Sequence, residues 1–154
     1  MNIDLTVQHA CGEDRAPDNG LLTGWVAAAL EGRCACAELT IRIVGEEESR
    51  ELNRRFRHQG RPTNVLSFPS DLPAEVESDL LGDLVICAAV VEREALQQEK
   101  PPHAHWAHMV VHGVLHLIGH DHQNREQAAL MEGLEREILE GIAYPDPYRE
   151  ERGG

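Results

Sequence analysis

The stretch HGVLHLIGHDH, His112 to His122, holds four histidines in eleven residues, and its reading decides the rest of the chain. His112 and His116 have the spacing of the zinc-peptidase motif H-E-x-x-H, but Gly113 stands where that motif has its glutamate. On a helix of about 3.6 residues per turn, His105, His108, His112 and His116 fall along one stripe. Neighbours at i and i+4 lie about 5–6 Å apart at Cβ, near enough to share one ion. Trp106, Val110, Val114 and Leu117 take other faces, and some of them must anchor this helix in the core. Seven of the nine histidines fall between His103 and His122. A single histidine on an apolar face reads as a hydrogen-bonded core residue; a cluster of this density reads as a metal site.

A third ligand has to come from where the chain turns back. Gly119 permits that turn, and His122 follows it. The resulting H-x-x-x-H-x-x-G-x-x-H is the metzincin spacing with its glycine kept and its glutamate missing. Three imidazoles, His112, His116 and His122, suit one Zn²⁺ with a fourth position left open, as in a catalytic rather than a structural site. His120 competes with His122, but the glycine-turn spacing favours His122 and leaves His120 beside the site. Asp121 is a candidate to orient an imidazole N–H, or else a loop acid in water. His105 and His108 are expected beside the site or on the surface. With Gly113 in place of the glutamate, a peptidase loses its general base. A metal alone still lowers the pKa of water towards about 7, so hydrolysis remains open. A phosphodiester held by arginines fits such a site better than a peptide.

Outward from the histidines, the chain alternates strand and helix signals. Ile3–Gln8 and Glu38–Val44 alternate apolar and polar residues as half-buried strands do, and Thr63–Phe68 and Leu81–Cys87 read as two more. Leu21–Ala35, Glu46–Arg57, Ala88–Glu99, His103–Ile118 and Asn124–Gly141 read as helices, with Gly119 as the C-terminal stop of the fourth. Ser70–Asp79 is an acidic loop. The expected fold is α+β: one domain over residues 1–154, a small mixed sheet packed with helices, a metzincin-like His-bearing helix, and a tail over 143–154.

Composition narrows the partners. A net charge of −13 argues against a nucleic-acid partner for the surface as a whole. Five of the fourteen basic residues, however, lie close together at Arg50, Arg54, Arg55, Arg57 and Arg61. Screening confines charge effects to about 8 Å at physiological salt, so such a patch acts locally. It is either a solvated helix end whose charges suit the helix dipole or a phosphate-binding segment. The cysteines Cys11, Cys34, Cys36 and Cys87 lack C-x-x-C spacing and are expected as reduced thiols. MNIDLTVQ has no signal-peptide pattern, and LVICAAVV (Leu84–Val91) is far short of the roughly 18 residues of a membrane span. A soluble, cytoplasmic chain without membrane contact is expected.

Together, LNRRFR…RPTNVLSFP, LGDLVIC and HMVVHGVLHLIGHDH resemble the YbeY family of bacterial rRNA-maturation endoribonucleases, over about Glu51 to His122 and in the right order. The resemblance implies a single-domain, metal-dependent hydrolase that cuts single-stranded RNA. It implies a role in 3′-end maturation of 16S rRNA and in ribosome quality control, with the small subunit or ribosome-associated proteins as partners. It places the metal ligands at His112, His116 and His122 and the functional arginine at Arg57; Arg54, Arg55 and Arg61 of the same arginine segment are candidates for further RNA contacts. The family usually has tyrosine where this chain has His120. Two other readings compete: a zinc peptidase whose base is Asp121 or Glu126, and a ribosome-associated binding module whose metal is structural.

Overall fold

In the computed structural model, residues 2–11, 16–73, 76 and 78–144 are described. The expected tail, apart from Ala143 and Tyr144, and part of the acidic loop lie outside them. Nine elements follow one another: β1 (Asn2–His9), α1 (Asn19–Leu30), β2 (Cys36–Val44), α2 (Glu46–Arg57), β3 (Val65–Pro69), β4 (Leu80–Cys87), α3 (Ala88–Gln97), α4 (Pro102–Leu117) and α5 (Arg125–Gly141). The sheet order is β1-β2-β4-β3, with β1, β2 and β4 parallel and β3 antiparallel at the edge. This is the expected α+β domain with a mixed sheet.

Several boundaries differ from the expectation by a residue or two, and two of the differences have a visible cause. Helix α1 stops at Leu30 rather than running to Ala35. Gly32 takes φ +76°, and the N–H groups of Arg33 and Cys34 both reach back to the Leu30 carbonyl. Gly32 in this conformation is a local helix stop, and it reverses the chain so that β2 starts beside β1. Strand β3 begins at Val65 rather than Thr63, because Thr63 and Asn64 are held by side chains. Ser49 Oγ bonds both the N–H and the carbonyl of Thr63, and Asn64 Nδ2 donates to Glu94 of α3.

Strand alternation divides the interior in two. Leu84 and Ile86 of β4 join Leu39, Ile41 and Ile43 of β2 in the main core, which α1, α4 and α5 cover. Val85 and Cys87 face the other way, into a smaller cluster with Leu66, Val90 and, from α2, Leu52. Helix α4 is the centre of the main layer and packs on α1, α3, α5, β3 and β4. Among the described residues, no helix is long and apolar enough to cross a membrane.

Gly113 sets the seating of α4 on the sheet. A Cβ at Gly113 would lie 2.8 Å from Leu84 Cδ2 and 3.2 Å from Val65 Cγ2. Ser67 Oγ donates to the Gly113 carbonyl at 3.1 Å, fixing the same contact from β3. Close approach at this point turns the opposite flank of α4 away from the sheet, towards α5 and the loop after Leu117. Gly113→Ala should destabilise the protein by about 1–3 kcal/mol, as overpacking does. The loss should be smaller in a Leu84→Ala background, where the clash is relieved. Urea unfolding of the two single variants and the double variant checks this, and strict additivity would contradict the contact.

Candidate metal centre

Helix α4 ends in a Schellman turn. The Gly119 N–H bonds the His116 carbonyl at 3.1 Å and the His120 N–H bonds the Leu115 carbonyl at 3.0 Å, with Gly119 at φ +105°. This is the stop expected at Gly119, and it turns the chain back over the helix end. Asp121 Oδ1 accepts from the His122 backbone N–H at 2.7 Å and shapes the next step of the loop. His122 is thereby returned to the flank of α4 that carries His112 and His116.

The three side chains converge. His112, His116 and His122 each offer a ring nitrogen, and these atoms lie within 4.8 Å of one another. His112 Nε2 and His116 Nε2 are 3.2 Å apart. Zinc–nitrogen bonds of about 2.0–2.1 Å in a tetrahedron place two ligand nitrogens about 3.3–3.4 Å apart. The helical pair already stands at that separation, and the donor set fits a single ion of the zinc type. His112 and His116 are half-buried and His122 is exposed, so one side of the group opens to solvent.

The other histidines of the stripe are buried supports. His105 Nε2 lies 2.9 Å from Glu94 Oε1 of α3, which also accepts from Asn64 Nδ2. His108 Nε2 lies 3.6 Å from Glu135 Oε1, and His112 Nδ1 lies 2.5 Å from the same oxygen. The imidazole-to-carboxylate contact of the triad thus comes from Glu135 of α5, not from Asp121. His120 contributes through its backbone, which favours the protonated form of the His116 ring. Sequence reasoning missed Glu135 and Glu94. The signal was present: Met131, Glu135 and Leu139 recur at i, i+4 and i+8 on the buried face of α5, an acid on an apolar stripe.

Electrostatics agree with a metal-ready group. Burial, then the charges of His112 and His122, lower the His116 pKa from 6.5 to about 4, against the opposing pull of Asp121 and the His120 backbone. His116 is therefore neutral at pH 7 with a lone pair to give. Burial also lowers His108. For Glu135 burial works upward, but the N–H groups and charges of His108 and His112 outweigh it and bring the carboxyl down to about 2.

The arginine segment stands elsewhere. Arg54, Arg55 and Arg57 occupy the last turn of α2, which packs on the sheet face opposite α4, and Arg61 lies in the loop leading to β3. All four are exposed. Arg54 pairs with Glu51 at 2.6 Å and the Arg55 guanidinium sits 5.6 Å from the Phe56 ring centroid. Asn53 Nδ2 holds the Arg61 carbonyl at 2.8 Å, which ties the loop to the helix.

In the metal-free protein, stability should fall as pH drops from 6.5 towards 4. The unfolded chain takes up protons there that His116 refuses when folded, and His108 acts in the same direction. Glu135 adds a second loss, since its contribution is complete above 4.5 and disappears as pH falls through about 2. Urea midpoints measured between pH 8 and pH 3 test this; a flat profile from pH 7 to 4.5 would contradict it.

Comparison with known proteins supplies an independent line. A family model described as "Endoribonuclease YbeY" matches residues 20–143. The solution structure of TM1509 from Thermotoga maritima is similar, with a TM-score of 0.58 and 26% sequence identity, covering 91% of each chain.

Proposed function

The chain belongs to the YbeY endoribonuclease family, and on that premise we propose that it hydrolyses single-stranded RNA with one Zn²⁺ held by His112, His116 and His122. The proposed substrate is the 3′ end of small-subunit rRNA, with a part in ribosome quality control beside the small subunit or its associated proteins. The observation that carries this reading is the convergence of three imidazoles, open on one side, at the end of a helix whose Gly113 is crowded by Leu84 and Val65 where a peptidase has its glutamate.

A zinc ion in such a group supplies Lewis acidity and lowers the pKa of water towards about 7. The residues of the chain do the rest. Three neutral imidazoles add no negative charge to repel a phosphodiester, which a carboxylate ligand would do. Arg57 is assigned to the phosphate, where the planar guanidinium fork matches its oxygens. Arg54, Arg55 and Arg61 are assigned to the flanking strand. The Arg54–Glu51 pair is solvent-exposed, so exchanging the carboxylate for a phosphate costs little. Because α2 and α4 lie on opposite faces of the sheet, RNA touching both must pass around the edge at β3.

Support against the peptidase reading is steric and local. Leu84 and Val65 fill the place of a side chain at residue 113, Asp121 is engaged with the His122 backbone, and Glu126 is exposed in the first turn of α5.

His116→Ala should abolish cleavage of a single-stranded RNA oligonucleotide. Arg57→Ala should lower kcat/KM for RNA by about 10–100-fold, the loss typical of one charge-assisted hydrogen bond to a phosphate of the bound strand, while zinc affinity stays unchanged. Chelation should stop the reaction and added Zn²⁺ restore it. Undiminished cutting by both variants overturns the reading. Metal-dependent peptide cleavage without RNA cleavage would put the peptidase in its place, and rRNA processing that survives loss of the metal would favour the binding module.

A further inference from the structure

Glu135 is fully buried, 0% exposed, on a helix face otherwise made of Met131, Ile138 and Leu139. A carboxylate in such a place is costly unless its oxygens are used. A leucine there would continue the apolar stripe of α5. Its Oε1 instead meets His112 Nδ1 at 2.5 Å and His108 Nε2 at 3.6 Å. On the far edge of the His112 ring, Nε2 faces the Nε2 of His116 at 3.2 Å.

We infer that Glu135 is a positioning residue for the metal group, fixing the proton of His112 on Nδ1 so that Nε2 presents its lone pair to the ion. This rests on the metal reading proposed above and extends it. An ionised carboxylate can only accept, so the hydrogen between Glu135 and His112 belongs to Nδ1. A neutral imidazole carries one N–H, and Nε2 is left as a donor to metal. The contact also locks the ring's rotation, since a half-turn about χ2 would remove Nδ1 from the carboxylate. The negative charge behind the ring raises the basicity of the ligating nitrogen without placing a carboxylate on the ion. His108, wedged against the same oxygen, holds the carboxylate in place from the previous turn of α4. Glu135 touches neither substrate nor ion and acts through His112.

The test uses the full chain stripped of metal, with Zn²⁺ as the probe, and the variants Glu135→Gln and Glu135→Leu. Zinc affinity is measured by chelator competition, and the His112 tautomer by nitrogen-15 NMR of the metal-free protein. In the parent chain His112 should be the Nδ1–H tautomer. In Glu135→Leu that tautomer should lose its dominance and zinc affinity fall by about 10–100-fold. Glu135→Gln keeps an acceptor oxygen, so it should keep the tautomer and recover part of the affinity. A folded Glu135→Leu protein with the parent tautomer and affinity overturns the role. If that variant does not fold, Glu135→Met, which also lacks an acceptor oxygen, decides, and the parent tautomer with an affinity within about threefold of the parent overturns the role. Failure of the parent chain to bind zinc would overturn the metal reading itself, whereas normal binding indifferent to Glu135 overturns only the positioning role.

Discussion

Helix α4 is buried on most sides, which leaves little solvent for the four imidazoles along one flank. Each needs a partner from a neighbouring element, and the elements around α4 supply them in order. Glu94 of α3 meets His105, Glu135 of α5 meets His108 and His112, and the loop after the Schellman turn brings His122 to His112 and His116. The contacts change in character along the column. At the Pro102 end they are carboxylate-to-imidazole pairs that satisfy buried nitrogens; at the Leu117 end the nitrogens face one another and open to solvent. A packing requirement thereby grades into a candidate metal site at the end of a single helix.

The arginine-to-asparagine motif belongs to the same scheme through its polar residues more than its charges. Ser49 and Asn53 are buried and look inward, where they hold Thr63 and the Arg61 carbonyl. Asn64 closes the circuit by bonding Glu94, the partner of His105. The loop that carries Arg61 into β3 is thus tied at one end to α2 and at the other to the base of the histidine column. Side chains that read as chemistry in the sequence here determine the path of the backbone, while the arginines stay exposed.

Much of this was legible from the chain. Period-two alternation marks β2, and Gly119 marks the end of α4, because a strand face and a helix stop are local demands that local residues must meet. The convergence of His112, His116 and His122 was legible for the same reason, as helix spacing and one turn generate it. The end of α1 was misplaced, because the alanine-rich run before Leu30 outweighed the local stop that Gly32 supplies just past it. Glu135 escaped notice because an acid on a helix is ordinarily a solvated one. Its significance depends on a pairing between α4 and α5 that sequence distance hides. Nor did the sequence reveal that α2 lies across the sheet from α4, since the faces are assigned by strand pairing.

Gly113 has a further consequence, on the scale of descent rather than of the single molecule. Changing one nucleotide can turn a glycine codon into a glutamate codon, so the peptidase motif is only a small mutational step away in writing. In space it is not, because the leucine of β4 and the valine of β3 already occupy the volume that the new side chain would need. A side chain at residue 113 would oblige that leucine and valine to yield, so the step costs packing that the codon does not show.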